Sequence, residues 1–162
     1  MTVLRQAYER LRAALGQEQS QRLDVLNGRD LERFAVASHD PRWTWLRAGP
    51  SETAPEAPLL YLSSVMGWDA GPAESELRAD GSGLDETRGL PLDGVRLMGA
   101  GQSLEFHEPI REGYSVVVHT SLTDVEFKSG RSGDLLILQV SRRFTDQSGR
   151  PLVTCQESFI AR

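Results

Sequence analysis

The sequence predicts an α+β domain, with helices first and an antiparallel sheet after them. Three observations predict it. Apolar residues recur at helical spacing near the N-terminus. Apolar and polar residues alternate from Met98 onward. Six of the eight prolines fall between residues 40 and 97, which separates the two halves. Runs of helix followed by runs of strand, without regular alternation between them, are the mark of this class.

Val3, Leu4, Ala7, Leu11, Ala14 and Leu15 form one face of an amphipathic helix, while Arg5, Glu9, Arg10 and Arg12 fall mostly on the other. The spacing predicts a helix over about 3–15, stopped near Gly16, within an N-terminal helical region spanning 1–20. Gln17–Gln21 is polar and reads as loop, and Arg22–Leu26 as a short strand. Asn27 is placed to cap a second helix, with Asp30 in its first turn beside the positive helix end. Leu31, Phe34, Ala35 and Ser38 share a face of that helix. Pro41 is expected to end it, because proline disfavours helical backbone at the residue before it.

Leu59–Leu62 and Val65–Met66, with Trp68 nearby, read as a short buried helix or strand. Residues 69–97 read as one long loop, which is uncommon inside a domain unless functional or disordered. Leu104 and Phe106 then alternate with Glu105 and His107, and Pro109–Gly113 is a turn. Tyr114, Val116, Val118, Thr120 and Leu122 line one face of a long strand. Val125 and Phe127 lie on the opposite parity, which predicts a β-bulge near Thr123–Asp124. Lys128–Gly133 reads as a hairpin connection, Leu135–Phe144 as a strand, Asp146–Pro151 as a turn and Leu152–Ile160 as the last strand. The expected sheet is a four-strand meander, long and bulged enough to curl around a helix.

Composition narrows the function. The chain has 162 residues, enough for one domain with a sizeable core, and a formal net charge of −5, which argues against a nucleic-acid partner. The N-terminus lacks the apolar stretch of a signal peptide, and no run approaches the roughly 18 apolar residues of a membrane span. Cys155 is the single cysteine, so no internal disulfide forms. The expectation is a cytoplasmic protein with no membrane association. No two histidines and a carboxylate fall at metal-ligand spacing, so no metal is expected.

The segment Met98–Ile110, with Arg111-Glu112-Gly113 and then Lys128-Ser129-Gly130-Arg131-Ser132-Gly133-Asp134-Leu135, resembles MaoC-like hot-dog proteins. The likeness is to the N-terminal, FAS1-like dehydratase type, and within it to mesaconyl-C4-CoA (3-methylfumaryl-CoA) hydratases. It is good over about 85–162 and extends from residue 24. The order and spacing of the motifs carry it, since no one of them is diagnostic. The resemblance implies a single hot-dog domain over 1–162, a curved antiparallel sheet wrapped around a helix. It also implies hydro-lyase chemistry on acyl thioesters of CoA or acyl carrier protein, with no further cofactor. Such proteins work as two hot-dog halves, so a homodimer, or a heterodimer with a second MaoC-like subunit, is the implied assembly.

Hydrating an enoyl thioester needs a base for water at the β-carbon, an acid for the α-carbon and donors for the enolate-like oxygen. The resemblance implies an aspartate and a histidine from a Gly-Asp-x-Asn-Pro-(Ile/Leu)-His segment after a short helix. Here that place holds Ser38-His39-Asp40-Pro41-Arg42-Trp43-Thr44-Trp45. Asp40 matches the aspartate, Pro41 follows too soon, the asparagine is missing, and Trp43 or Trp45 stands where the histidine should. Asp40 with His39 is the remaining catalytic candidate. The competing reading makes Asp40 a local helix-end residue, His39 a surface residue, and the tryptophans packing residues.

Binding candidates follow from residue chemistry. Lys128 and Arg131 sit between glycines in an acidic protein and suit the phosphates of CoA; the alternative is a soluble hairpin. Gly99 and Gly101 would allow close backbone approach to a thioester or partner, or merely an irregular start to the strand. Gln102 adjoins them and counts with them. His107 could line a thioester tunnel or be a hydrogen-bonded sheet residue. His119 and Cys155 read as structural, the latter as a buried inert thiol. Ser63, Ser64 and Ser129 lack the setting for acyl transfer, and no carboxylate on a central helix points to thioesterase chemistry.

The leading expectation is therefore a hydratase/dehydratase subunit, the substrate-shaping half whose Asp/His dyad comes from a partner hot-dog. A complete homodimeric enzyme using Asp40 is the second. An acyl-CoA-binding or scaffold protein that kept the fold and lost catalysis is the third.

Overall fold

The computed structural model describes residues 2–41, 56–65, 73–76, 90, 92, 94–131 and 133–162. Trp43, Trp45, Met66, Trp68, Ser132 and most of the 69–97 segment lie outside the described residues.

The N-terminal stripe forms α1, Val3–Ala13, which buries Ala7 and Leu11. Thr2 begins it by accepting the Arg5 N–H on Oγ1 at 3.3 Å. Arg10 and Arg12 in the last turn complement the negative end of the helix. The helix stops two residues earlier than its apolar spacing suggested. Gly16, at φ 73°, turns the chain and donates its N–H to Leu122 at 2.9 Å. That left-handed backbone is open to glycine and strained for most other residues.

β1, Glu18–Val25, is longer than the expected Arg22–Leu26 strand and takes in most of the expected loop. Its residues are mostly exposed, so alternation in the sequence did not mark it. It forms because β3 offers a free edge, pairing Glu18 with Ser121 through to Val25 with Ser115. α2, Gly28–Ala37, follows Asn27, whose Oδ1 accepts the Asp30 N–H at 2.9 Å. It buries Leu31 and Ala35. Pro41 does not end this helix. The stop comes at Ala37, through a hydrogen-bonded turn in which His39 takes φ 54°.

α3, Tyr61–Val65, is the short element expected at Leu59–Met66, and it is helical. Tyr61 meets Phe34 edge-on, ring centroids 5.4 Å apart, and so docks α3 on α2. A single 3₁₀ turn covers Glu74–Glu76.

Four further strands complete the sheet: β2 Leu97–Phe106, β3 Ser115–Gly130, β4 Gly133–Thr145 and β5 Pro151–Ala161. The order is β1-β3-β4-β5-β2, antiparallel throughout. This corrects the four-strand meander. β3, β4 and β5 are consecutive neighbours, but β2 pairs with β5, and β1 is a fifth strand beside β3. Local alternation reports that a segment is a strand, but not which edge it joins.

The expected bulge is present, with the β3–β4 register shifting between Leu122 and Asp124. Thr123 Oγ1 donates to Gln139 O at 3.1 Å across the irregularity. The shift brings both Leu122 and Val125 inward. A second bulge lies between Gly99 and Gly101 on β2. The β4–β5 turn is built on Asp146, which accepts from the Ser148 hydroxyl at 2.6 Å and Arg150 Nε at 2.8 Å.

The inner face of the sheet carries two apolar clusters. One joins Leu31, Ala35, Tyr61 and Leu62 to Val116, Val118, Phe144 and Val153, under α2 and α3. The other joins Ala7 and Leu11 of α1 to Leu122, Leu136, Leu138 and Val140. Different helices therefore cover different halves of one sheet.

Candidate functional site

The C-terminal end of α2 carries the sequence-derived catalytic candidates. Ser38 N–H donates to Phe34 O at 2.8 Å, His39 N–H to Val36 O at 3.2 Å, and Asp40 N–H to Ala35 O at 2.9 Å. The bond from Asp40 reaches back five residues and the one from His39 three. This is the Schellman pattern, in which the residue after the C-cap adopts left-handed backbone and is usually glycine. His39 occupies that position. Its side chain is exposed and Asp40 is half-buried. His39 is thus placed by the turn, where the resembling family has the glycine of its motif.

α2 and α3 wall the same region. Tyr61 is buried there, and its hydroxyl pKa is raised, first by burial and then by the Asp30 carboxylate. It stays a neutral hydrogen-bond donor at all ordinary pH.

On β2, no described atom lies within 4 Å of where a Cβ would sit at Gly99 or Gly101. The bulge, rather than close packing within the chain, uses these glycines. Gln102 donates from Nε2 to Cys155 Sγ at 3.1 Å. His107 lies on the outer face, its Nε2 2.8 Å from Thr154 Oγ1. Thr154 alternates with the buried Val153 and Cys155, so the imidazole stands away from the inner compartment. His119 also faces outward, with Nδ1 3.0 Å from Glu18 Oε1 and Nε2 3.4 Å from Thr145 Oγ1. It joins β1, β3 and β4.

Within the Lys128–Gly133 connection Gly130 at the end of β3 pairs with Gly133 at the start of β4, which takes φ 106°. Lys128 Nζ is 3.2 Å from Glu126 Oε2, and Arg131 is exposed. This hairpin is at the α1 end of the sheet. It lies nine residues from Arg142 along β4, roughly 30 Å of strand. The structure does not bring it together with Asp40.

Sequence reading passed over the most unusual inner-face residues. Leu136, Leu138, Val140, Arg142 and Phe144 project inward from β4, and each is at most 1% exposed. Arg142 Nη2 lies 2.6 Å from Glu157 Oε2 on β5, itself buried. A guanidinium in an otherwise apolar row of period two was a signal available in the sequence. Among the described residues no cluster of His, Cys, Asp and Glu could hold a metal ion.

Over residues 13–155 the sequence matches the family described as the FAS1-like, dehydratase domain region. The chain belongs to that family.

The FAS1-like dehydratase match begins at the last residue of α1, so nearly all of that helix lies outside it. No curated protein sequence matches the chain. Solved structures establish its hot-dog fold. A chain of the ChsH1–ChsH2 complex from Mycobacterium tuberculosis superposes with a TM-score of 0.68 at 14% identity, covering 97% of this chain and 89% of that one. The R-hydratase PhaJ1 from Pseudomonas aeruginosa gives 0.60 at 17% identity, covering 90% and 79%. A MaoC-like dehydratase from Rhodospirillum rubrum gives 0.60 at 20% identity, covering 91% of each chain. Among the described residues no helix is long and apolar enough to cross a membrane.

Proposed function

We propose that this FAS1-like dehydratase chain is the substrate-shaping half of an enoyl-thioester hydratase/dehydratase, with the Asp/His dyad supplied by a second hot-dog subunit. The observation that carries the reading is the end of α2. Asp40 stands there with no asparagine and no histidine at the family spacing, and the adjacent His39 is held in the left-handed turn. Hydration adds the oxygen of water to the β-carbon and a proton to the α-carbon, which requires a base and an acid on one substrate. This end of α2 holds a single carboxylate, which cannot serve as both, so in this reading the acid and base come from the partner.

The sheet supports a two-subunit arrangement. Among the described residues β2 has a strand neighbour on one side only, β5. It is ten residues long, with Glu105 its single charged residue, and it leaves Met98 and Phe106 exposed. A long edge with so little charge is one that isolated proteins usually blunt. The ChsH1–ChsH2 structure is a complex of two named subunits. The carrier in this reading is CoA, and the subunit works in the cytoplasm.

In this role the lone chain binds an acyl-CoA and does not turn it over. The test is to assay the purified chain for hydration of mesaconyl-CoA and crotonyl-CoA, alone and with a second subunit bearing the intact Gly-Asp-x-Asn-Pro-x-His segment. Turnover only in the mixture is expected. Robust turnover by the chain alone, abolished in Asp40→Asn, would replace this reading with a complete homodimeric enzyme. Binding with no turnover in either preparation would leave an acyl-CoA-binding protein.

A further inference from the structure

The outer face of the sheet changes character toward the end whose inner side α1 covers. Over most of β4 and β5 the outward residues are polar, from Arg143 and Thr154 to Gln139 and Ser158. That is the pattern of a face turned to water. At the far end it breaks. Ile137 pairs with Ile160, and Ile160 with Met98, so three large apolar side chains stand in one row across β4, β5 and β2. Their neighbours Leu136 and Ala161 are fully buried on the inner side, so this row points outward. Leu135, two residues before Ile137, shares the face. Met98 is 37% exposed and the other three are half-buried.

A row of cations borders this strip. Arg96 and Arg162 exchange both backbone hydrogen bonds, Arg96 N–H to Arg162 O at 2.7 Å and Arg162 N–H to Arg96 O at 2.9 Å. They lie one step beyond the inward-facing Leu97–Ala161 pair, so both arginine side chains leave the sheet on the outer face. Lys128 stands at the same level on β3, in register with Leu135. Arg131 is exposed in the β3–β4 connection. Glu126 matches Lys128 at 3.2 Å, but among the described residues no carboxylate is ion-paired to Arg96, Arg131 or Arg162. Like charges directly opposite on neighbouring strands destabilise a sheet. In a chain of net charge −5 the Arg96–Arg162 pair is not a by-product of a basic composition. An anion on the outer face would relieve it.

The dimensions select the occupant. The Ile137–Ile160–Met98 row spans two strand spacings, about 10 Å, which is the width of one α-helix. The backbone groups of a sheet point in its plane, toward neighbouring strands. A segment lying on the face must therefore satisfy its own backbone, as a helix does and an added strand does not.

We propose that this corner docks an amphipathic helix of an acidic partner protein, with its apolar stripe on Ile137, Ile160 and Met98 and its carboxylates on Arg96 and Arg162. Guanidinium forks take carboxylates in two parallel hydrogen bonds, which fixes the helix in place. Among the described residues α1 carries Arg5, Glu9, Arg10 and Arg12, and α2 carries Arg29, Asp30, Glu32 and Arg33. Neither is an acidic helix, so the occupant is a different protein and not a second copy. The site lies on the face of β2 and leaves its free edge open to strand pairing, so the inference is independent of the two-subunit reading above.

The experiment uses the full chain and two synthetic peptides of about 18 residues, long enough to be helical. They share a leucine face, and the polar face is glutamate in one and lysine in the other. Fluorescence anisotropy measures binding and amide chemical shifts locate it. The glutamate peptide is expected to bind at least about tenfold more tightly than the lysine peptide, to shift the amides of Met98, Ile137 and Ile160, and to weaken as salt rises. Arg96→Glu combined with Arg162→Glu is expected to cut that affinity about tenfold, the loss of two charge pairs. Arg96→Thr is expected to weaken binding while its thermal midpoint stays or rises by about 1–3 °C, because a like-charge pair is gone. A lower midpoint would make the row structural and overturn the proposal. Equal binding of the two peptides, shifts confined to another surface, or no binding would also overturn it. Adsorption to phosphatidylglycerol vesicles without peptide binding would reassign the corner to a membrane surface. Self-association lost in the double variant would reassign it to a second copy.

Discussion

Arg142 Nη2 stands 2.6 Å from Glu157 Oε2, at the junction between the core under α2 and the core under α1. Removing one member of such a pair leaves the other charged and buried. Arg142→Met or Glu157→Leu alone is expected to destabilise the chain by about 3–5 kcal/mol. The double replacement is expected to recover most of that loss, since two apolar side chains suit the surrounding rows. Urea unfolding of the four proteins in a double-mutant cycle measures the coupling. Additive single losses would show that the pair is not a unit.

His39 occupies a left-handed position with φ 54°. Glycine takes that conformation without penalty, so His39→Gly is expected to stabilise the chain by about 1 kcal/mol. A thermal midpoint about 2–4 °C higher would report it. The same variant tests chemistry. If the imidazole acts on substrate, turnover of the assembled enzyme falls while the midpoint rises. With the dyad on the partner subunit, turnover is expected to stay unchanged.

Asp146 organises the β4–β5 turn. Its carboxyl pKa is held well below the usual carboxylate range, chiefly by the Ser148 hydroxyl, against burial, with help from the Arg150 and Ser148 N–H groups and the Arg150 guanidinium. The folded-state value lies below the unfolded one of about 3.9. The stabilisation is therefore fully present above about pH 5 and is lost as pH falls through the acid range. Asp146→Asn is expected to unfold more easily at neutral pH and to show a flatter decline in stability below pH 4. Parallel urea titrations at pH 7 and pH 3 check both statements, and equal declines would refute the second.

Lys128 and Arg131 lie at the β3–β4 connection, at the end of the sheet that packs under α1, whereas Asp40 follows α2, which covers the other cluster. Replacing both with alanine is expected to change acyl-CoA affinity of the lone chain less than twofold. A loss of tenfold or more, growing at low ionic strength, would instead assign the CoA phosphates to this hairpin.

Much of the fold was legible because it depends on local chemistry. The Asn27 cap follows from a side chain that bonds its own helix start. The bulge near Thr123 follows from a change of parity between Leu122 and Val125. β1 was harder, since a mostly exposed edge strand shows no alternation and exists because β3 can pair with it. The neighbours of β2 were equally hidden, because strand alternation carries no information about order.

At the site, what is missing can be read from the residues alone. His39-Asp40-Pro41 departs from the dyad motif residue by residue, and no folding can restore a side chain the chain does not encode. Tertiary structure decided where the remaining groups go. It turned His39 into a helix-ending residue, set His107 and His119 on the outer face, and separated the Lys128 hairpin from Asp40. It also aligned Gln19, Thr120, Arg142, Glu157 and Gln102 across five strands. The physical reason is register. Each of these residues is ordinary within its own strand, and only hydrogen-bonded pairing between segments far apart in the chain places them side by side.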